Sequence, residues 1–121
     1  MVFAKYVGKK NMVTKIMRKS KFSKACDISP KVRKEVMERD GFQCVICDGN
    51  DCLQVAHYIS RARGGLGIPQ NLAILCVRCH ISFDNGKEHI EIKNRLKKHF
   101  LALYDDWDEK KLIYSKWGCP N

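Results

Sequence analysis

Four cysteines fall in two Cys-x-x-Cys pairs, Cys44 with Cys47 and Cys76 with Cys79. His57 and Asn71 lie between the pairs, and His80 directly follows the second. Each pair presents two sulfurs from one tight bend, so the two together can supply four thiolates to one zinc ion, the closed tetrahedral set of a structural site. Four buried free thiols are the plainer alternative. Such a zinc site needs only the cysteines, and the polar residues left over are of types that hydrolyse phosphodiesters. Histidine is the commonest general base near neutral pH, and a nearby cation is needed to stabilise charge on the phosphate. His80 and Asp84 are four residues apart, so on a helix they share a face and can chelate a second metal. Asn71 can bond its side chain across a hairpin and fix the strand that carries His57. Taken singly, each has a bland reading: His57 as an ordinary polar residue, His80 as a solvated one, Asp84 and Asn71 as turn formers. Their combination with the cysteines favours chemistry.

This spacing constrains the elements that hold the residues. The gap between the pairs is 28 residues (48–75), longer than the roughly 15–20 of a simple zinc ribbon. A hairpin with an Ω-like loop fits inside it. Leu53–Ile59 alternates as a short strand, 60–70 (SRARGGLGIPQ) is a glycine-rich loop, and Leu72–Leu75 is a second apolar strand. Upstream, Ser29-Pro30 marks a helix start and Gly41 its end, with Val32, Val36 and Met37 inward. A helix from about Arg78 to Phe83 or Asp84 stops at Asn85-Gly86. An amphipathic helix over 87–103 follows, with Ile90, Leu96, Phe100 and Leu103 as inner positions. Asp106 or Asp108 caps a last short helix, EKKLIYSKW, closed by Gly118 and Pro120. The fold class is a small α+β module flanked by helices. Its expected divisions are a basic arm over 1–28, the module over 29–86 and a helical extension over 87–121.

The net charge of +10 is unevenly placed. Residues 1–34 hold 11 Lys and Arg against Asp27 alone, whereas 35–121 balance 12 against 12. A basic arm beside a neutral body is the footprint of a polyanion binder. The membrane surface is the weaker partner, because the arm lacks a clear apolar face. There is no run of 18 apolar residues to span a bilayer and no secretory pattern at the start, so a cytoplasmic location and reduced thiols are expected. Lys15, Arg18 and Lys19 of the arm, with Arg61, Arg63 and Arg78, are the candidate phosphate contacts. The stretch containing Lys93, Arg95, Lys97 and Lys98 reads first as a solvated helix face and second as a helix that tracks a nucleic-acid backbone.

The segment from Ser29 to Gly86 resembles the HNH endonuclease family, with its ββα-metal fold and four-cysteine zinc buttress. The likeness is carried by CVIC at 44–47, AHYISRARGGLGIPQNL at 56–72 and CVRCHISFDNG at 76–86. The loop GGLGIPQN and the ending CHxxFDNG look most like small HNH nucleases of bacteriophages and mobile elements. The resemblance implies that His57 is the general base, that Asn71 positions it, and that His80 binds one catalytic divalent cation such as magnesium or manganese. It further implies structural zinc on Cys44, Cys47, Cys76 and Cys79, and products with a 5′-phosphate and a 3′-hydroxyl. The partner it implies is DNA, in a bacterial cell or phage-infected host, with other phage DNA-processing proteins as further candidates. Because each chain has one site, double-strand cleavage needs a dimer or two successive nicks.

Ala56 departs from the pattern. Many family members carry an aspartate or histidine there as a metal ligand. Either Asp84 supplies the missing ligand, or metal affinity is weak, or the domain is catalytically dead; the spacing of Asp84 from His80 favours the first. The rival reading is a non-catalytic zinc-binding module for DNA or RNA.

Overall fold

The structure, a computed structural model, describes residues 20–115. Lys15, Arg18, Lys19 and the expected closing residues Gly118 and Pro120 lie outside that range. In chain order the elements are α1 (Lys21–Cys26), α2 (Pro30–Arg39), β1 (Leu53–His57), β2 (Leu72–Cys76), α3 (Val77–Asn85) and α4 (His89–Leu103). Short 3-10 turns occupy Arg61–Arg63, Pro69–Asn71 and Glu109–Leu112.

The two strands pair antiparallel, with Leu53 opposite Cys76 and His57 opposite Leu72. Period-two alternation then sorts their side chains onto two faces. Leu72 and Ile74 pack with Val36 of α2 on one face. On the other, Ala56, Tyr58, Ala73 and Leu75 meet Phe83 of α3 and Ile92, Leu96 and Phe100 of α4. The sheet is thus the middle of three layers, which is why every residue of β2 is buried.

Sequence signals set the helix ends. Ser29 Oγ accepts the Val32 N–H at 3.1 Å, and Pro30 takes the first turn of α2. Three expectations need correction. Ile90 is 71% exposed and Leu103 42% exposed, whereas Ile92, Leu96 and Phe100 form the buried stripe of α4. Four-residue steps from Ile92 define the inward face, and Ile90 lies about 200° around the helix from Ile92 at roughly 100° per residue. Of the helix expected over 109–117, the described residues form one 3-10 turn, Glu109–Leu112, capped by Asp108 rather than Asp106. After it the chain is extended, because Leu66 N–H donates to the Leu112 carbonyl and Tyr114 N–H to the Gly64 carbonyl, each at 2.8 Å. Finally, residues 20–28 are not simply arm: α1 carries a fully buried Cys26 and receives a 2.9 Å bond from Gly67 N–H to the Ala25 carbonyl. A Cβ on Gly67 would sit 2.0 Å from the Asp27 carbonyl oxygen, so only glycine allows this docking.

A buried ionic network ties the layers together. Asp40 caps α2; its carboxylate accepts two bonds from Arg39 (2.8 and 2.9 Å), one from Ile74 N–H and one from His99 Nε2 (both 3.0 Å). Burial alone would raise the Asp40 pKa, but the His99 and Arg39 hydrogen bonds, the Arg39 charge and the Ile74 N–H outweigh it and hold it at about 2. Arg39 also donates to the carbonyls of Pro69 and Leu72, both at 2.7 Å, gripping the chain on either side of Asn71. Trp107 stacks on Phe100, meets Tyr58 edge-on and donates Nε1–H to the Gln70 carbonyl at 2.8 Å, so the segment after α4 is anchored too.

Candidate active site and metal centre

The metal centre grows from two bends brought together by the sheet. Cys44 and Cys47 lie on the turn before β1, which is held to β2 by a 3.0 Å bond from Val45 N–H to the Ile74 carbonyl. Cys76 ends β2 and caps α3, its sulfur accepting the Cys79 N–H at 3.4 Å. The four sulfurs lie within 4.8 Å of one another, with 3.7 Å between Cys47 and Cys76. A tetrahedron of thiolates about 2.3 Å from zinc has edges of about 3.8 Å, so the arrangement fits that ion. Hydrogen bonding from the Cys79 N–H lowers the Cys76 pKa, while burial and the neighbouring sulfurs raise that of Cys79. Among the described residues this is the only group of three or more His, Cys, Asp or Glu side chains placed to hold a metal.

His57 closes β1. Its Nε2 lies 3.0 Å from the carbonyl oxygen of Cys26. A carbonyl only accepts, so the ring proton is on Nε2 and the neutral imidazole carries its lone pair on Nδ1. Burial lowers the His57 pKa, opposed by the bond to Cys26 and aided by the charge of Arg61, which favours the neutral, basic form.

Asn71, fully buried, fixes the chain immediately beyond His57. Its Oδ1 accepts Ile59 N–H at 2.8 Å, while Nδ2 donates to the carbonyls of Ile59 (3.1 Å) and Leu66 (2.8 Å). Its own carbonyl accepts Tyr58 N–H at 2.7 Å. Gly65 permits this approach, since a Cβ there would fall 1.6 Å from the Ile59 carbonyl oxygen.

His80 and Asp84 face one another across a turn of α3, Nε2 to Oδ2 at 3.5 Å. The other ring nitrogen, Nδ1, lies 2.6 Å from Gln54 Oε1. With Nδ1–H donating to Gln54, the Nε2 lone pair points at a carboxylate oxygen, a pair of donors that a cation or a proton reconciles. Gln54 is the partner that sequence reasoning missed; its only signal was its phase, two residues before Ala56 on the same face of β1. Ala56 is 1% exposed against Ala73, so no ligand comes from that position.

One cleft of about 400 Å³ joins much of this: His57, Tyr58, Ser60, Arg63, Asp84, His89, Lys93, Glu109 and Lys110 line it. His80 does not line the cleft itself; it sits one turn of α3 before Asp84 and faces that carboxylate. The candidate arginines separate. Arg63 lines the cleft. Arg61 pairs with Asp27 at 2.7 Å, and Arg78 lines a different hollow beside Cys47 and Cys79. Lys110 and His89 were not named from the sequence, and Lys93 only as one of a basic helix stretch, because they reach the cleft from elements whose approach is tertiary.

Comparison with family models matches residues 44–86 to "HNH endonuclease". Among solved structures, the fold is similar to that of the Type IV phosphorothioation-dependent restriction endonuclease ScoMcrA, with a TM-score of 0.54 and 24% sequence identity. The likeness covers 65% of this chain but only 17% of that one, so the chain spans a small part of that protein's length. Comparison with curated proteins gives no match. Residues 44–86 of this chain thus match the HNH endonuclease family, within a small α+β fold whose four clustered cysteines suit a metal ion.

Proposed function

We propose that the chain is a metal-dependent endonuclease that nicks or cleaves DNA by hydrolysing phosphodiester bonds. The observation that carries this reading is the His57 imidazole: its Nε2–H is held by the Cys26 carbonyl, it is biased to the neutral form, and it lines the same cleft as Asp84. Nδ1 of His57 accepts a proton from water as its oxygen attacks phosphorus, and the bond to the 3′ oxygen breaks, that oxygen taking a proton from solvent. The products then carry a 5′-phosphate and a 3′-hydroxyl. Asn71 keeps the end of β1 in register so that the base holds its place. His80 and Asp84 would hold a single divalent cation, magnesium, manganese or similar, which when bound stabilises charge on the phosphate and the departing oxygen. Cys44, Cys47, Cys76 and Cys79 would hold structural zinc, contributing folding energy to a small domain. The basic segment preceding residue 20, including Lys15, Arg18 and Lys19, adds affinity through phosphate contacts.

A second reading, a zinc-stabilised nucleic-acid-binding module without activity, draws on Ala56, which leaves His80 and Asp84 without a third protein ligand among the described residues. The two readings separate on supercoiled plasmid incubated with zinc-loaded protein. Relaxation that requires added magnesium or manganese supports the nuclease. Binding without relaxation under any divalent cation would establish the module reading instead.

A further inference from the structure

The cleft beside His57 has a rim of cations, and they come from three separate elements. Arg63 ends the 3-10 turn after β1, Lys93 is on α4 and Lys110 is in the turn Glu109–Leu112. Three other arginines, none of them lining the cleft, are engaged by protein oxygens: Arg39 by Asp40, Arg61 by Asp27, and Arg95 by the Ile46 carbonyl at 2.9 Å. Arg63, Lys93 and Lys110, by contrast, have no carboxylate within ion-pairing distance among the described residues.

Two acids share the cleft, and both have partners. Tyr58 OH donates to Glu109 Oε2 at 2.5 Å, and burial together with that bond raises the Tyr58 pKa, keeping it a donor. Asp84 faces His80. The Tyr58–Glu109 bond also pins the turn that bears Lys110, while the Lys93 ammonium lies 5.5 Å from the centre of the Tyr58 ring. Tyr58 therefore organises two of the three cations while occupying the neighbouring carboxylate.

We infer that Arg63, Lys93 and Lys110 are positioning residues that grip the DNA phosphates flanking the scissile bond, so that the segment after residue 86 builds one wall of the active cleft. The inference rests on the nuclease reading above, but it can fail separately. Contacts to phosphate position the duplex without reading its sequence, so the rim gives affinity and registration rather than base preference.

The test measures binding of a short duplex by fluorescence anisotropy over a salt series. It uses zinc-loaded full chain carrying His57→Ala without added magnesium or manganese, so that cleavage is negligible during the measurement. Adding Lys93→Gln and Lys110→Gln should lower the log–log salt slope by about 1.8, because each phosphate that a cation neutralises adds about 0.9 to it. The control pair Lys97→Gln and Lys98→Gln carries the same charge change on an exposed part of α4 outside the cleft and should change the slope far less. In the chain with His57 intact, the cleft pair should raise KM with kcat little changed, the signature of binding made equally in ground and transition states. An unchanged slope, or an equal fall in both pairs, overturns the rim. If the cleft pair shifts the slope but the chain with His57 intact never cleaves, the rim stands and the nuclease reading falls.

Discussion

Asn71→Ala and Asn71→Asp together test whether the asparagine acts through its hydrogen bonds. The side chain is fully buried and serves three backbone groups: Ile59 N–H, Ile59 carbonyl and Leu66 carbonyl. Alanine strands all three. A buried polar group left without its partner costs about 1–3 kcal/mol, and a water entering the vacated polar space recovers part of it. The expected loss is therefore about 3 kcal/mol, toward the low end of the sum. Aspartate has nearly the same shape and keeps the acceptor for Ile59 N–H, yet it turns a carboxylate toward two carbonyl oxygens. It should be at least as destabilising as alanine at neutral pH, which shape alone would not predict. Denaturant unfolding of zinc-loaded protein, followed by Trp fluorescence, measures both. Relaxation of plasmid under conditions where each variant stays folded should fall by about 100-fold, the scale on which a displacement near 1 Å acts. An Asn71→Asp protein as stable and as active as the parent would refute the reasoning, because two of the three bonds would then be dispensable.

Asp40→Asn should lower stability by about 2 kcal/mol near pH 6, since a carboxylate held at about 2 against its ordinary 3.8 favours the folded state by roughly 1.4 kcal/mol for each tenfold fall in its proton affinity. The sign fixes the window: this contribution is full above about pH 4 and is lost as pH falls through about 2, so the gap between variant and parent should narrow with acid in denaturant titrations. Asp84→Ala should lose activity at low magnesium or manganese and regain part of it with excess cation; full activity at low cation would show that the Asp84 carboxylate is no ligand. Deleting residues 1–19 removes six Lys and Arg and should flatten the salt dependence of DNA binding while leaving the fold intact. A deletion through residue 28 should also abolish cleavage, because it takes away the Cys26 carbonyl that orients His57.

The four-cysteine cluster was legible because ligand chemistry dictates spacing: two Cys-x-x-Cys bends need no knowledge of the rest of the chain. The strands and α2 were legible from alternation, from Ser29-Pro30 and from Gly41. The His80–Asp84 pair followed from helical geometry alone, and Asn71 across the hairpin followed from its place between a loop and a strand. What the sequence hid was tertiary. Arg39-Asp40 at a helix end looks like solvated charge, and its burial depends on His99 and on the chain around Leu72 arriving from far along the sequence. The Cys26 carbonyl is backbone and carries no residue signal at all, so α1 was assigned to the arm. Ile90 and Ile92 were equally apolar choices for the inward face of α4, and only the position of the sheet selects Ile92.

The central claim is that His57 acts as the general base of a phosphodiester hydrolase, and single-turnover cleavage by His57→Ala measures it most directly. The variant should retain its zinc and its affinity for DNA yet cleave roughly 10²–10⁴-fold more slowly than the parent at the same magnesium or manganese concentration. A folded, zinc-loaded His57→Ala protein that cleaves at the parent rate would contradict the account.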